Sequence, residues 1–123
     1  MTVLRITPNL ACDDPAGMAD FYRTLFDLDV AMDMGFIVTM EPGGAHRQSP
    51  QLSALTEGGS GTPAPALSIE VDDLDPVIAR ARLRGIAIDY GPVEEPWGVR
   101  RLFVRDPAGH LVNVLQHLPG RPA

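Results

Sequence analysis

The sequence predicts an α+β domain built from two βαβββ modules. Three observations carry that expectation: an internal repeat, a strand–cap–helix pattern at the head of each copy, and Gly/Pro-rich stretches between elements. The repeat aligns NLACDDPAGMADFYRTLF, residues 9–26, with SIEVDDLDPVIARARLRG, residues 68–85. Placing Asp13 and Asp14 on Asp72 and Asp73 sets an offset of 59 residues.

In the first copy, apolar residues alternate from Leu4 to Cys12, the period of a half-buried strand. Asp14 is then the expected N-cap and Pro15 the first helical residue, a favoured pairing. Met18, Phe21, Tyr22 and Leu25 recur at helical spacing and predict the buried helix face. Further strands are expected over 28–34, 35–41 and 51–57. In the second copy the strand runs over 66–71, and Asp73 is the expected cap. Leu74, Val77, Ile78 and Ala81 form the apolar face, and Gly85 suits the left-handed residue that ends a helix. Strands follow over 87–90, 99–105 and 110–117. Asp106-Pro107-Ala108-Gly109 reads as a turn, with Pro preset at its second position. The stretches 42–50 and 58–65 read as loops. One domain is expected over 1–123, with modules at about 4–57 and 66–117 joined by the linker 58–65, in line with a typical domain of roughly 100–150 residues.

Composition narrows the function classes. The chain has 45% hydrophobic and 21% charged residues, ordinary for a globular protein. Its net charge of −6 argues against a nucleic-acid partner, whose phosphates demand a basic patch. All ten basic residues are arginine, so Schiff-base chemistry on lysine is excluded. No apolar run approaches the ~20 residues that span a bilayer, and no secretory leader is expected at the N-terminus. The single cysteine, Cys12, forms no intrachain disulfide, and a cytoplasmic location is the simplest expectation.

Four stretches, in their order and spacing, carry a family resemblance. They are FYRTLF at 21–26, VDDLDPV at 71–77, WGVR at 97–100 and RDPAGHLVNVLQH at 105–117. Together they resemble the vicinal-oxygen-chelate group, the glyoxalase/bleomycin-resistance/dioxygenase superfamily, over about Ile6 to His117. The resemblance implies curled four-stranded sheets that line a groove, in one chain or across a homodimer. It also implies metal ligands at equivalent points of the two modules. Carried over by spacing, those points are Thr7, Ala54, Ala66 and Asn113. None is the imidazole, thiolate or carboxylate that transition-metal sites favour, so no metal and no other cofactor is expected. His110 and His117 are seven apart on one expected strand, which puts them on opposite faces. His46 falls in the 42–50 loop, and Cys12 on the strand face opposite Thr7.

The remaining chemistry points to a ligand groove. Thr7 and Asn9 share a strand face with hydrogen-bonding side chains. Glu70 shares a face with Ala66 and Ser68, as a counter-ion for a cationic ligand or a general base. Trp97 offers an aromatic wall and Phe36 a second one. Asn113 offers an amide. Arg100 and Arg101 are adjacent on a strand, so only one of them faces the groove. No nucleophile motif or phosphate-binding loop is present. Two classes stay open: a metal-independent protein that binds a small organic molecule, antibiotics included, and a lyase or isomerase of the same superfamily with Glu70 as base.

Overall fold

In the computed structural model residues 1–43 and 50–120 are described. The chain divides into two compact units, Thr7–Ala66 and Met1–Ile6 with Leu67–Ala123. Each holds a four-stranded sheet with one helix, so the chain is two βαβββ modules.

The first unit begins in β1 (Val3–Ala11) and continues through α1 (Pro15–Phe26), β2 (Leu28–Asp33), β3 (Ile37–Pro42) and β4 (Leu52–Leu55). Asp14 caps α1, its carboxylate accepting the Gly17 N–H at 3.1 Å. The strand order is β2-β3-β4-β1, with β1 parallel to β4 and the other pairs antiparallel. The buried core is Ala19, Val38, Met40 and Ala54, with Met18, Tyr22, Leu28, Leu52 and Cys12 packed against it. The expected helix face is thus met by Met18 and Tyr22 but not by Phe21 and Leu25. Phe21 and Leu25 are 54% and 61% exposed. Small Ala19 takes the contact instead and lets the helix backbone approach the sheet.

The second unit comprises β5 (Leu67–Val71), α2 (Asp75–Leu83), β6 (Ile88–Glu95), β7 (Val99–Arg105) and β8 (Leu111–His117). Its strand order, β5-β8-β7-β6, repeats the first pattern, with β5 parallel to β8. The start of β1 belongs here too. Thr2 N–H donates to Asp72 Oδ1 at 2.7 Å, and Asp72 N–H to the Thr2 carbonyl at 3.0 Å. Asp73 is not the N-cap of α2: that residue is Leu74, which has no capping side chain. Asp73 accepts the Asp75 N–H instead, and Gln116 on β8 accepts the Leu74 N–H at 2.9 Å. One otherwise orphan helix donor is thus satisfied from the sheet. Leu74, Ile78, Val71, Leu102 and Val114 form the core, each large aliphatic contributing roughly 1.5–3 kcal/mol by burial. Gly85 ends the helix at φ +67°, with Ile86 N–H bonded to the Ala81 carbonyl at 2.9 Å.

β6 runs five residues beyond the expected 87–90, through Pro92, to Glu95. It is an edge strand, where a missing N–H is tolerated. A register shift between Tyr90 and Val93 absorbs the bend. Gly91 there has φ +77°, and a Cβ on it would clash with the Arg101 carbonyl oxygen. No described helix is long and apolar enough to cross a membrane.

Candidate functional site

α2 covers one face of the β5-β8-β7-β6 sheet. It packs against Val71, Leu102 and Val114, with Ile69, Val104 and Val112 beside them. Side chains alternate along a strand, so the opposite, helix-free face carries Ser68 and Glu70, Val99, Arg101 and Phe103, and Asn113, Leu115 and His117. Strand register places Ser68 beside Asn113 and Asn113 beside Phe103. The next rung sets Glu70 beside Leu115 and Leu115 beside Arg101.

Asn113 is 8% exposed. Its amide nitrogen donates to Ser68 Oγ at 3.1 Å. Its Oδ1 is buried and meets no donor among the described residues. A buried acceptor left in that state costs roughly 1–3 kcal/mol.

Further along the face, Glu70 holds two nitrogen partners, one from Arg5 and one from His117. Arg5 NH2 lies 2.8 Å from Oε1, and His117 Nδ1 lies 2.8 Å from Oε2. The Glu70 side chain is 12% exposed, against 35% for His117. Glu70 thus already holds one positive partner of its own chain, Arg5. The separation of four between His117 and Asn113 is the signal in the sequence that both share a face; comparison with His110 alone conceals it. His110 precedes β8 and bonds Asp106 in the turn, Nδ1 to Oδ2 at 2.9 Å.

The third feature surrounds Arg101. Its Nε donates to Glu95 Oε2 at 2.7 Å, and the Tyr90 hydroxyl donates to the same oxygen at 3.1 Å. Both charged side chains are at least 96% buried. The guanidinium carbon lies 4.8 Å from the Phe103 ring centre, 4.9 Å from that of Trp97 and 5.4 Å from that of Tyr90. Trp97 sits in the β6–β7 turn, closed by Gly98 N–H to the Glu95 carbonyl. The indole expected as an aromatic wall is therefore engaged by the chain's own arginine. Arg100 points the other way and pairs with Asp75 of α2 at 2.8 Å. Of the two arginines it is Arg101 that faces away from the helix.

The first unit has a polar helix-free face of its own. Thr7, Asn9, Thr39 and Ser53 are buried there. Asn9 lies opposite Ser53 in the register, and Thr39 and Ser53 hydroxyls bond at 2.7 Å. Ala54 packs under α1, so the fourth-strand position assigned to it belongs to Ser53. The repeat is one residue out of step by β4: the pair Asn9 and Ser53 corresponds to Ser68 and Asn113. Ala66 precedes β5, where its carbonyl accepts the Asn9 N–H at 3.0 Å. Phe36 lies in the β2–β3 turn, half-buried, rather than on β3. His46 lies outside the described residues. A shallow hollow of about 440 Å³ lined by Asp20, Arg23, Thr24, Asp27, Leu28 and Asp29 lies on α1 and β2 and includes none of these groups.

The donor set does not fit a family-type metal. Thr7, Ser53, Ala66 and Asn113 offer neutral oxygens or none, where such ions want imidazole or carboxylate. Among the described residues no three His, Cys, Asp or Glu side chains gather into a metal-binding group.

Comparison with known proteins agrees with the fold. A family model described as the Glyoxalase/Bleomycin resistance protein/Dioxygenase superfamily matches residues 3–114. No curated protein matches by sequence. A chain described as an NAD-dependent benzaldehyde dehydrogenase from Legionella pneumophila is similar at TM-score 0.72 and 15% identity, covering 91% of this chain and 98% of that one. A variant of Streptomyces coelicolor methylmalonyl-CoA epimerase, in complex with 2-nitronate-propionyl-CoA, is similar at TM-score 0.68 and 19% identity, covering 94% and 99%. A glyoxalase/bleomycin resistance protein/dioxygenase superfamily member from Vibrio splendidus 12B01 is similar at TM-score 0.59 and 18% identity, covering 94% and 99%.

Proposed function

We propose, for a chain that belongs to the glyoxalase/bleomycin resistance protein/dioxygenase superfamily, that it binds a small organic molecule on the helix-free face of the β5-β8-β7-β6 sheet, without a resident metal ion. The observation that carries this reading is Asn113. Its buried carbonyl oxygen has no donor among the described residues, and a ligand hydroxyl or N–H would supply one. Ser68 fixes the amide that presents it. The ligand is thus a hydrogen-bond donor with an organic body. The epimerase neighbour holds such a body in its complex, which supports the reading by fold analogy.

On this reading Asn113, Ser68 and Trp97 are the binding residues of their unit, with Glu70 at the border of the same face. Thr7 and Asn9 belong to the polar surface of the other. The protein is further proposed to pair as a homodimer. Leu4 and Ile6 on β1 are 57% and 56% exposed, an apolar pair that a second chain would cover.

The test is mass spectrometry of small molecules retained by the purified protein. Each is then titrated into the parent and into Asn113→Ala by calorimetry, with glycopeptide and basic aromatic antibiotics included. Loss of one hydrogen bond worth about 1–1.5 kcal/mol lowers affinity roughly tenfold. Equal affinity for both proteins would remove Asn113 from the site.

A second reading, an isomerase or lyase, is favoured by one specific observation: the hydrogen bond between Glu70 and His117.

A further inference from the structure

The chain's negative charge is unevenly placed. Residues 7–66, one compact unit, carry eight acidic residues against two arginines, while the remainder carries eight of each. In that remainder Arg5, Arg100, Arg101 and Arg105 each face a carboxylate. Arg80, Arg82 and Arg84, at the end of α2, are exposed and form no ion pair among the described residues. Beside them Leu83 is 86% exposed, while Ile78 and Ala81 are buried on the sheet side of the helix. Arg80 neighbours both Leu83 and Arg84, at spacings of three and four. Basic residues favour a helix C-terminus, but that does not account for a leucine held in water among them.

The acidic unit presents the counterpart. Asp20, Asp27 and Asp29, against the single Arg23, rim the hollow of about 440 Å³ on α1 and β2, with Thr24 and Leu28. Phe21, three residues before Thr24 and so beside it on the helix surface, is more than half exposed. We propose that this hollow receives the end of α2 from a second copy of the chain, with Leu83 in the hollow, Arg80 and Arg84 against Asp20 and Asp27, and Phe21 covered at the edge. The two surfaces differ and each copy carries one of each, so the contact is heterologous and builds rings or open chains rather than stopping at two. It is separate from pairing through Leu4 and Ile6 and independent of any bound ligand. Exposed ion pairs contribute little each, so the contact belongs to concentrations well above micromolar and to low salt, where screening is weak.

The test is light scattering of the full chain over a concentration series. At about 10 mM salt, where charges reach ~30 Å, the average mass is expected to climb above its micromolar value as the protein approaches about 1 mM, and at about 1 M salt, where the reach is ~3 Å, it is expected to stay flat. Arg80→Glu with Arg84→Glu is expected to abolish the climb, and so is Asp20→Arg with Thr24→Arg. Mixed in equal amounts, these two variants are expected to associate again, since each presents the charge that the other's surface lacks. Both remain net negative, so general attraction does not supply that result. Leu83→Ser is expected to raise the concentration needed at least about tenfold, as loss of a buried leucine implies. All five substituted positions are exposed, and circular dichroism checks that each variant folds. Leu4→Glu with Ile6→Glu is expected to climb still, from a lower starting mass. A flat mass for the parent at low salt, a climb kept in either charge-reversed variant or in Leu83→Ser, or a mixture that stays flat overturns the proposal. Loss of the climb in Leu4→Glu with Ile6→Glu also overturns it, because the contact then belongs to that pairing.

Discussion

Glu70 and His117 lie 47 positions apart in the chain, yet their side chains meet at 2.8 Å because β5 and β8 run parallel and adjacent. The same pairing puts Ser68 against Asn113. One strand pair thus supplies a held amide at one end and a held imidazole at the other.

Asn113→Leu separates function from stability. It removes a buried carbonyl that lacks a donor among the described residues, in a side chain of similar size. The expected result is unchanged or raised stability, by up to about 1 kcal/mol, together with loss of ligand binding. Thermal melting and calorimetry on one preparation check it. Clear destabilisation would make Asn113 structural.

Arg101→Met leaves Glu95 and the Tyr90 hydroxyl around an uncompensated buried charge. The expected loss is about 3–5 kcal/mol in urea unfolding. Arg101→Met with Glu95→Leu should recover much of it, since apolar replacement of a whole buried pair is far less damaging than breaking it.

Asp106 titrates low. The His110 backbone N–H, and then its ring, hold this carboxyl below the usual aspartate range. A carboxyl depressed in the folded state contributes stability above its unfolded pKa, and that contribution is lost as pH falls through the folded one. Urea midpoints measured from neutral to acid pH should therefore fall less steeply below the ordinary aspartate range in Asp106→Asn than in the parent.

Elemental analysis of gently purified protein is expected to find no stoichiometric zinc, nickel, iron or manganese, and chelator is expected to leave the melting temperature unchanged. The ground is the neutral donor chemistry of Thr7, Ser53 and Asn113. About one tightly held ion per chain would contradict it.

Sedimentation at micromolar concentration is expected to give twice the 13.2 kDa chain mass. Leu4→Glu with Ile6→Glu should shift the protein to monomer, because two charges cannot stay in an apolar contact.

The modules are legible in the sequence because local chemistry encodes them. Asp14 before Pro15, Gly85 after α2 and the run Leu74, Val77, Ile78, Ala81 each say where a helix starts, ends or packs. The α1 face is only half so, because periodicity finds Met18 and Tyr22 but weights Phe21 and Leu25 over the small Ala19. Ser53 escapes because Asn9 to Ser53 is one residue shorter than Ser68 to Asn113. A constant offset cannot register that slip, and one residue turns a side chain over. The Arg101 cage is hidden for another reason. It draws on three separate aromatic residues and a β6 bend past Pro92, none of which shows as periodicity. His117 is accessible, since its even spacing from Asn113 places it on the same face, whereas its odd spacing from His110 says nothing about the site.

Gly91 is exposed to solvent, and by surface position alone it would rank among the freely variable residues. Its backbone approaches the Arg101 carbonyl too closely for any side chain. In a saturation-mutagenesis library this site should therefore be depleted of every substitution, as sparsely tolerant as the core. Substitutions elsewhere along the exposed positions of β6 are expected to be tolerated far better, which the same library would show.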